Sequence, residues 1–350
     1  MERSILQKKA EFIITMKSES KNRVTIKDIA RHCGLSKSTV GYIVSNSPHY
    51  KPSQRSKELV MQAMTELNYK PNTAARSLRT NKSYAIGIIL RSLYDRFYAE
   101  FAENVQSRLA ELGYSGFFTF CQQDQCEKNV NYLVERGIDG CITTFSGTIP
   151  FLLENNIPTV YYTSITNFPV DHVMVNQNQI MFESVKVLYE LGHRKIGYAG
   201  HTVKGNPRHE AFTKALNHFD LKYDEAIVLH HTGSYKDGAK YYDRIRQLNH
   251  KLSPTAIIAQ NDPIAMGIIS RANECGVRVP NDLSVIGGNN IDESKYFIPQ
   301  LTTFDYPIAQ ISETVIKNLI NRIDHPERAP ENKVIDVKYI PGKSVAPVSL

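Results

Sequence analysis

Apolar residues along this chain recur with two different periods, and the period changes near residue 84. Between Thr25 and Leu67 they are spaced three and four apart, the signature of amphipathic helices. Thr25 is a helix cap, and Ile26, Ile29, Ala30 and Cys33 behind it form one buried stripe. Gly34 supplies a tight turn and Leu35 an apolar plug. Ser36 then caps a second helix whose inner positions are Val40, Ile43 and Val44. Its opposite face carries Lys37, Ser38, Gly41 and Tyr42. A third helix starts at Pro52 and Ser53, with Leu59, Val60, Ala63, Met64 and Leu67 as its packed face.

Beyond residue 84 short apolar runs alternate with helical patterns. "YAIGIIL", "YSGFFTF", "DGCITTF" and "IPTVYYT" read as strands, with helices in "FYAEFAENVQSRLAELG" and "CEKNVNYLVERG". After about Val175 the series restarts. Strands "KIGYAG", "AIVLHH", "TAIIAQ" and "LSVIGG" alternate with helices "MFESVKVLYELGH", "RHEAFTKALNHF", "YKDGAKYYDRIRQL" and "PIAMGIISRANECG". Strand–helix alternation argues for parallel, doubly wound α/β sheets, and two series argue for two sub-domains. Ligands of such sheets sit beyond the carboxyl ends of the strands.

Charge separates the same two regions. Residues 1–83 hold 16 Lys+Arg against 6 Asp+Glu, a net +10; residues 84–350 hold 26 against 29, a net −3. A basic head on a slightly acidic body is the footprint of a nucleic-acid binder. The five cysteines, Cys33, Cys121, Cys126, Cys141 and Cys275, form no C-x-x-C and read as reduced thiols of a cytoplasmic protein without a metal site. No apolar run reaches bilayer length, and "EFIIT" is too short for a signal-peptide core. No phosphate-cradling G-x-x-x-x-G-K loop and no G-x-S-x-G elbow occurs, so an enzyme has no support and no cofactor is expected.

Between head and body runs "YKPNTAARSLRTNKS". Asn72 suits a helix cap, and "TAARSLR" gives one or two turns, marginal alone. With Arg76, Arg79 and Lys82 beside Leu78, it reads as a linker that folds on DNA, its leucine wedging into the minor groove. The segments "VTIKDIARHCGLSKSTV" and "ELNYKPNTAARSLRTNKSYAIGII" resemble the LacI/GalR family of bacterial repressors. The likeness continues through "LGHRKIGYAG", "PTAIIAQNDPIAMGII" and "SVIGGNNID", covering about residues 24–345.

The resemblance implies a small all-α helix-turn-helix head, a hinge helix, and an α/β body of two doubly wound parallel-sheet sub-domains of periplasmic-binding-protein-like type I. The expected organisation is an N-terminal extension at 1–23, with Met16 well placed as a family start, a DNA-binding head at 24–70 and a hinge at 71–83. The body would fill 84–350, one sub-domain from 84–175 and 304–333 and the other from 176–303 and 334–350. A homodimer on a pseudo-palindromic double-stranded DNA operator is implied. Lys37, Ser38 and Tyr42 would read bases. Thr25, Ser36, Thr39, Tyr69 and Asn72 would hold the backbone with Arg76 nearby, and Leu78 would intercalate. Gly41-Tyr42 stands where Ser-Arg is usual, and Cys33 replaces a common Ala.

For the body, the strand ends nominate Ser92, Tyr94, Phe97, Tyr98, Thr163, His201, Arg208, Asn261, Asn289 and Tyr306 as contacts for a small-molecule effector. Three positions lack the carboxylates common in the family: Thr163, Asn176-Gln177 and Asn289-Asn290. Carboxylates are strong acceptors for sugar hydroxyls, whereas amides both donate and accept. With Arg208 kept, the expected effector is not a plain neutral sugar; an anionic or amide-rich ligand, no small ligand at all, and a sugar still held through the amides are the readings left open. His193 reads as structural, and His230-His231 as surface residues. A regulator controlled by such an effector is the leading expectation. A small-molecule binding or transport protein without a DNA role is the alternative, disfavoured by the basic head.

Overall fold

The computed structural model describes residues 24–44, 50–69, 77, 80, 82–93, 95–121, 125–163, 166–202, 206–230, 233–248 and 253–348. The N-terminal extension and the candidates Asn72, Arg76, Leu78 and Tyr94 lie outside them, as does His231. The chain divides between Ser83 and Tyr84 into two compact units.

In the first unit, helices α1 (Ile26–Cys33), α2 (Lys37–Val44) and α3 (Gln54–Glu66) enclose a small core of Ile29, Ala30, Val40, Val60, Ala63 and Tyr69. Each start has a local cause. Asp28 Oδ2 reaches back to the Thr25 backbone N–H at 2.9 Å and its hydroxyl at 2.7 Å. Ser36 Oγ accepts from the Thr39 N–H at 3.0 Å, and Ser53 Oγ from the Ser56 N–H at 3.1 Å. Gly34 ends α1 in the left-handed region at φ 66°, where a side chain would be strained. Two expectations need correcting. Ile26 and Cys33 flank the buried stripe and are only half-buried, because eight residues of helix bury just the face centred on Ile29 and Ala30. Leu59 is 39% exposed, since Val60 and Ala63 define the inner line of α3 and Leu59 falls outside it.

In the second unit, six parallel strands form one sheet. In chain order they are β1 (Ala85–Leu90), β2 (Ser115–Phe120), β3 (Gly140–Thr143), β4 (Thr159–Tyr162), β5 (Asp171–Val175) and, much later, β11 (Asn332–Ile335). Their spatial order is β11-β5-β4-β3-β1-β2. A second parallel sheet, ordered β7-β6-β8-β9, contains β6 (Ile196–Gly200), β7 (Val228–His230), β8 (Ala256–Ala259) and β9 (Ser284–Ile286). Strand β10 (Thr303–Asp305) pairs antiparallel with β12 (Lys338–Ile340) and belongs to neither sheet.

Helices α4 (Arg96–Glu111), α5 (Cys126–Val134) and α6 (Ile149–Glu154) accompany the first sheet in sequence. Helices α7 (Gln177–Glu190), α8 (Pro207–His218), α9 (Tyr235–Ile245), α10 (Asp262–Glu274) and the single turn α11 (Glu293–Tyr296) accompany the second. After the return crossing, α12 (Ile308–Asp324) packs on α4 and on β3, β4 and β5. The final crossing, expected near Lys333, follows β11, whose register on β5 runs to Ile335 opposite Val175. Helix α7 begins four residues before "MFESV": Asn176 caps it by accepting from the Gln179 N–H at 3.1 Å, and its first turn is polar. Helices α9 and α10 meet backbone to backbone. A Cβ on Gly238 would strike the Ile264 carbonyl, and one on Gly267 the Tyr235 carbonyl. Among the described residues no helix is long and apolar enough to cross a membrane.

Candidate functional site

The outward face of α2 is composed of residues that owe little to the core. Lys37, Ser38 and Tyr42 are exposed, Thr39 and Gly41 half so, and only Val40 is fully buried. A Cβ added at Gly41 would meet nothing within 4 Å, so the glycine leaves an open notch. Tyr42, 46% exposed, stacks on Tyr50 with ring centroids 5.1 Å apart at 26°. That stack holds the Tyr42 ring beside the notch, a rigid apolar wall where a flexible cation would otherwise stand. Ser36, Ser38 and Thr39 share hydroxyl hydrogen bonds of 2.9 Å. Thr25 lies exposed at the start of α1. Tyr69 is 8% exposed and belongs to the head's core, which sequence alone did not distinguish from a surface position.

In the body, the carboxyl ends of the two sheets converge on a cavity of about 420 Å³. Eight of the ten sequence-derived candidates line it: Phe97, Tyr98, Thr163, His201, Arg208, Asn261, Asn289 and Tyr306. Ser92 is half-buried and does not line it, because the chain turns away after β1 and the wall is formed by Arg91 instead. Sequence reasoning missed Arg91, Asp95, Phe145, Tyr162 and Gln260, which line it too, together with Gln177 of the Asn176-Gln177 pair. Their signal was available in part, since Arg91, Tyr162 and Gln260 end or follow strands and Asp95 caps α4 by accepting from the Phe97 N–H at 3.0 Å.

Aromatic rings form one wall. Phe97 stacks on Tyr162 at 6.1 Å and meets Tyr306 edge-on at 5.9 Å, while Phe101 stacks behind Tyr162 at 5.1 Å. The floor is organised by Arg208. Its Nε donates to Gln177 Oε1, Nη1 to the Gln260 carbonyl, and Nη2 to the Tyr306 hydroxyl at 3.0 Å. These partners are neutral, and no carboxylate lies within salt-bridge reach of Arg208 among the described residues. A cation so placed keeps its charge uncompensated in a partly desolvated site.

One further candidate, Asn261, is already committed to structure. Asn261 caps α10 by accepting from the Ile264 N–H at 3.0 Å, and its amide donates to the Gly233 carbonyl at 2.9 Å. Its contact with Asp95 across the cleft is longer, at 3.5 Å. The neighbouring Asp262 is fully buried and turned away, accepting from Thr303 Oγ1 at 2.6 Å and the Ile291 N–H at 2.9 Å; burial pushes its pKa up to about 7. Thr163 and Asn289 hold positive φ values of 132° and 98° at the cavity wall. For a β-branched threonine that backbone is strained, and such strain collects at binding sites. His193 is buried, with its ring nitrogens 2.9 Å from Thr255 Oγ1 and 3.0 Å from the Ala346 carbonyl, a structural residue.

A helix-turn-helix head and an α/β body with a cleft at its strand ends are the two parts of a DNA-binding transcriptional regulator. Residues 25–72 match the bacterial regulatory proteins of the lacI family, and residues 185–345 match the periplasmic binding protein-like domain. The HTH-type transcriptional repressor PurR of Yersinia pestis is 31% identical over 337 residues, covering 92% of this chain and 97% of the relative. The lac repressor dimer bound to operator and the anti-inducer ONPF shares the fold with a TM-score of 0.76 and 25% identity, over 93% of this chain and 100% of that one. A LacI-family regulator of Enterococcus faecium with bound ribose gives 0.67 and 25%, over 76% of this chain and 100% of that one. The chain belongs to the lacI family of bacterial transcriptional regulators, and its family is one of repressors rather than enzymes.

Proposed function

We propose that the protein is a cytoplasmic repressor that binds a pseudo-palindromic operator as a homodimer and responds to a small effector held in the body's cleft. Lys37, Ser38 and Tyr42 meet base edges in the major groove, with Thr25, Ser36 and Thr39 on phosphates. The segment 71–83 joins the halves, with Asn72, Arg76 and Leu78 engaging the operator centre. Closure of the cleft on its ligand is coupled to DNA affinity through that segment, and the coupling is reciprocal, about 1–3 kcal/mol in typical cases.

The reading of the effector rests on one observation above all. Arg208 stands at the cleft floor with only neutral partners, and where the family resemblance places carboxylates the chain has Thr163, Asn176-Gln177 and Asn289-Asn290. Such a site favours a ligand with an acceptor-rich or anionic group and an apolar ring to lie against Phe97 and Tyr162. The ribose bound by the Enterococcus relative supports the competing reading, in which the amides hold a neutral sugar. Calorimetry distinguishes the two: no tight binding of uncharged monosaccharides is expected, and a tight one would reverse the assignment. A gel shift with the DNA upstream of the protein's own gene tests the regulator role itself.

A further inference from the structure

Arg208 anchors the cleft floor, but its commitments leave open which group meets the charged part of a ligand. Arg91 differs. It follows β1 on one wall, while His201 follows β6 on the other, and Arg91 Nη1 lies 3.3 Å from His201 Nε2. The contact therefore spans the cleft. His230, at the end of β7, adds a third nitrogen heterocycle or cation, its ring centroid 5.1 Å from that of His201. The guanidinium of Arg91 lies 5.3 Å above the Phe145 ring, which orients it without neutralising it. Arg91 is exposed and makes no salt bridge to a carboxylate among the described residues.

The other charged and titratable groups around this cluster are few. Asp95 and Tyr98 line the same cavity, and Arg208 its floor. Glu127 lines an adjoining hollow that Arg91 also borders. Asp95 is occupied by the Phe97 N–H at 3.0 Å and by Asn261. The cleft mouth thus brings Arg91 and His201 together from two strand ends, with His230 packed beside the His201 ring outside the cavity lining, its Nδ1 accepting from the Thr202 N–H at 3.3 Å, and with no carboxylate bonded to any of the three among the described residues.

Given that the cleft is the effector site, we propose that Arg91, His201 and His230 form an anion subsite, and that a carboxylate or phosphate group of the effector draws the two walls together there. His201 is neutral near pH 7: burial, then the charges of Arg91, His230 and Arg208, push its pKa down to about 4. Its free lone pair accepts from Arg91. An oxyanion between them reverses the electrostatic cause, so His201 takes up a proton as the anion binds and donates a charge-assisted hydrogen bond. The sign follows: anion affinity strengthens as pH falls, because the liganded His201 has the higher pKa.

The test uses the full chain with inorganic phosphate in one arm and succinate in the other, each followed by calorimetry and thermal denaturation. At least one anion is expected to bind and raise the melting temperature, more strongly at about pH 6 than at about pH 8. Arg91→Gln is expected to weaken that binding about tenfold or more, and His201→Gln to remove its pH dependence. The responding arm identifies the ligand's anionic group as phosphate or carboxylate; a response in both assigns the shared charge. Binding of neither anion, or equal binding by Arg91→Gln, overturns the subsite. The same variants are assayed on upstream DNA, so DNA binding that persists without any anion response removes the subsite and leaves the regulator reading intact.

Discussion

The outward face of α2 and the floor of the cleft solve opposite problems. On α2 the side chains proposed to read DNA are exposed and close together in sequence, while Val40 is buried in the core with Ile43 and Val44 packed partly buried beside it. In the cleft, Arg208, Gln177, Asn261 and Tyr306 bind one another or the backbone before any ligand arrives. The first is a hand that can be changed without disturbing the wrist. The second is a preorganised cage whose walls and contacts are the same residues. Substitution on α2 should therefore alter binding and spare stability, whereas substitution in the cleft should cost stability first.

The largest expected effect breaks the cage. Arg208→Met strands Gln177 Oε1, the Gln260 carbonyl and the Tyr306 hydroxyl, so the body should lose about 2–3 kcal/mol in urea denaturation followed by circular dichroism. A loss below about 0.5 kcal/mol would mean that the cage is not load-sharing and would erase the contrast. Next comes Lys37→Ala on the exposed face, expected to weaken operator binding by about 1–3 kcal/mol in an anisotropy titration with the melting temperature unchanged. Asn261→Ala should cost about 1 kcal/mol through the lost cap of α10, visible as a lower urea midpoint even without ligand. Smallest is Gly41→Ala. The notch has room for the methyl group, so the head should gain up to about 1 kcal/mol in thermal denaturation. If DNA approaches closely at the notch, the same variant binds operator less tightly.

The contrast also explains what the sequence revealed. The head was legible because its signals are local: Thr25 with Asp28, Gly34, and Ser36 with Thr39 each act within a few residues. The exceptions, Leu59 and Tyr69, depend on where α3 meets its neighbours, which periodicity fixes only to within a residue or two. The body's alternation of strands and helices was equally plain, yet its shorter strands were not. Strand β11 is mostly exposed at a sheet edge, and β10 and β12 have three residues each, too few for a pattern to register. Candidate cleft residues could be nominated from strand ends. Which of their donors remain available could not, because Arg208 meets partners 31, 52 and 98 positions away. Arg91 was missed for the same reason: its meaning lies in His201, 110 residues distant.

Tyr42 sharpens the account of specificity. An aromatic wall beside a bare glycine cannot grip guanine as a bidentate arginine does, but it can meet a thymine methyl or a phosphate. Binding-site selection with Tyr42→Arg should yield a different half-site; unchanged sites would assign specificity to Lys37 and Ser38.

DNA recognition by the head is the property on which every other proposed role depends. The most direct test is an anisotropy titration of the full chain against the DNA upstream of its own gene and against a scrambled duplex of equal composition, at fixed salt. The account predicts a preference of about a thousandfold or more for the upstream DNA, abolished in Lys37→Ala/Ser38→Ala. Equal affinity for both duplexes, with the same salt dependence, would contradict it.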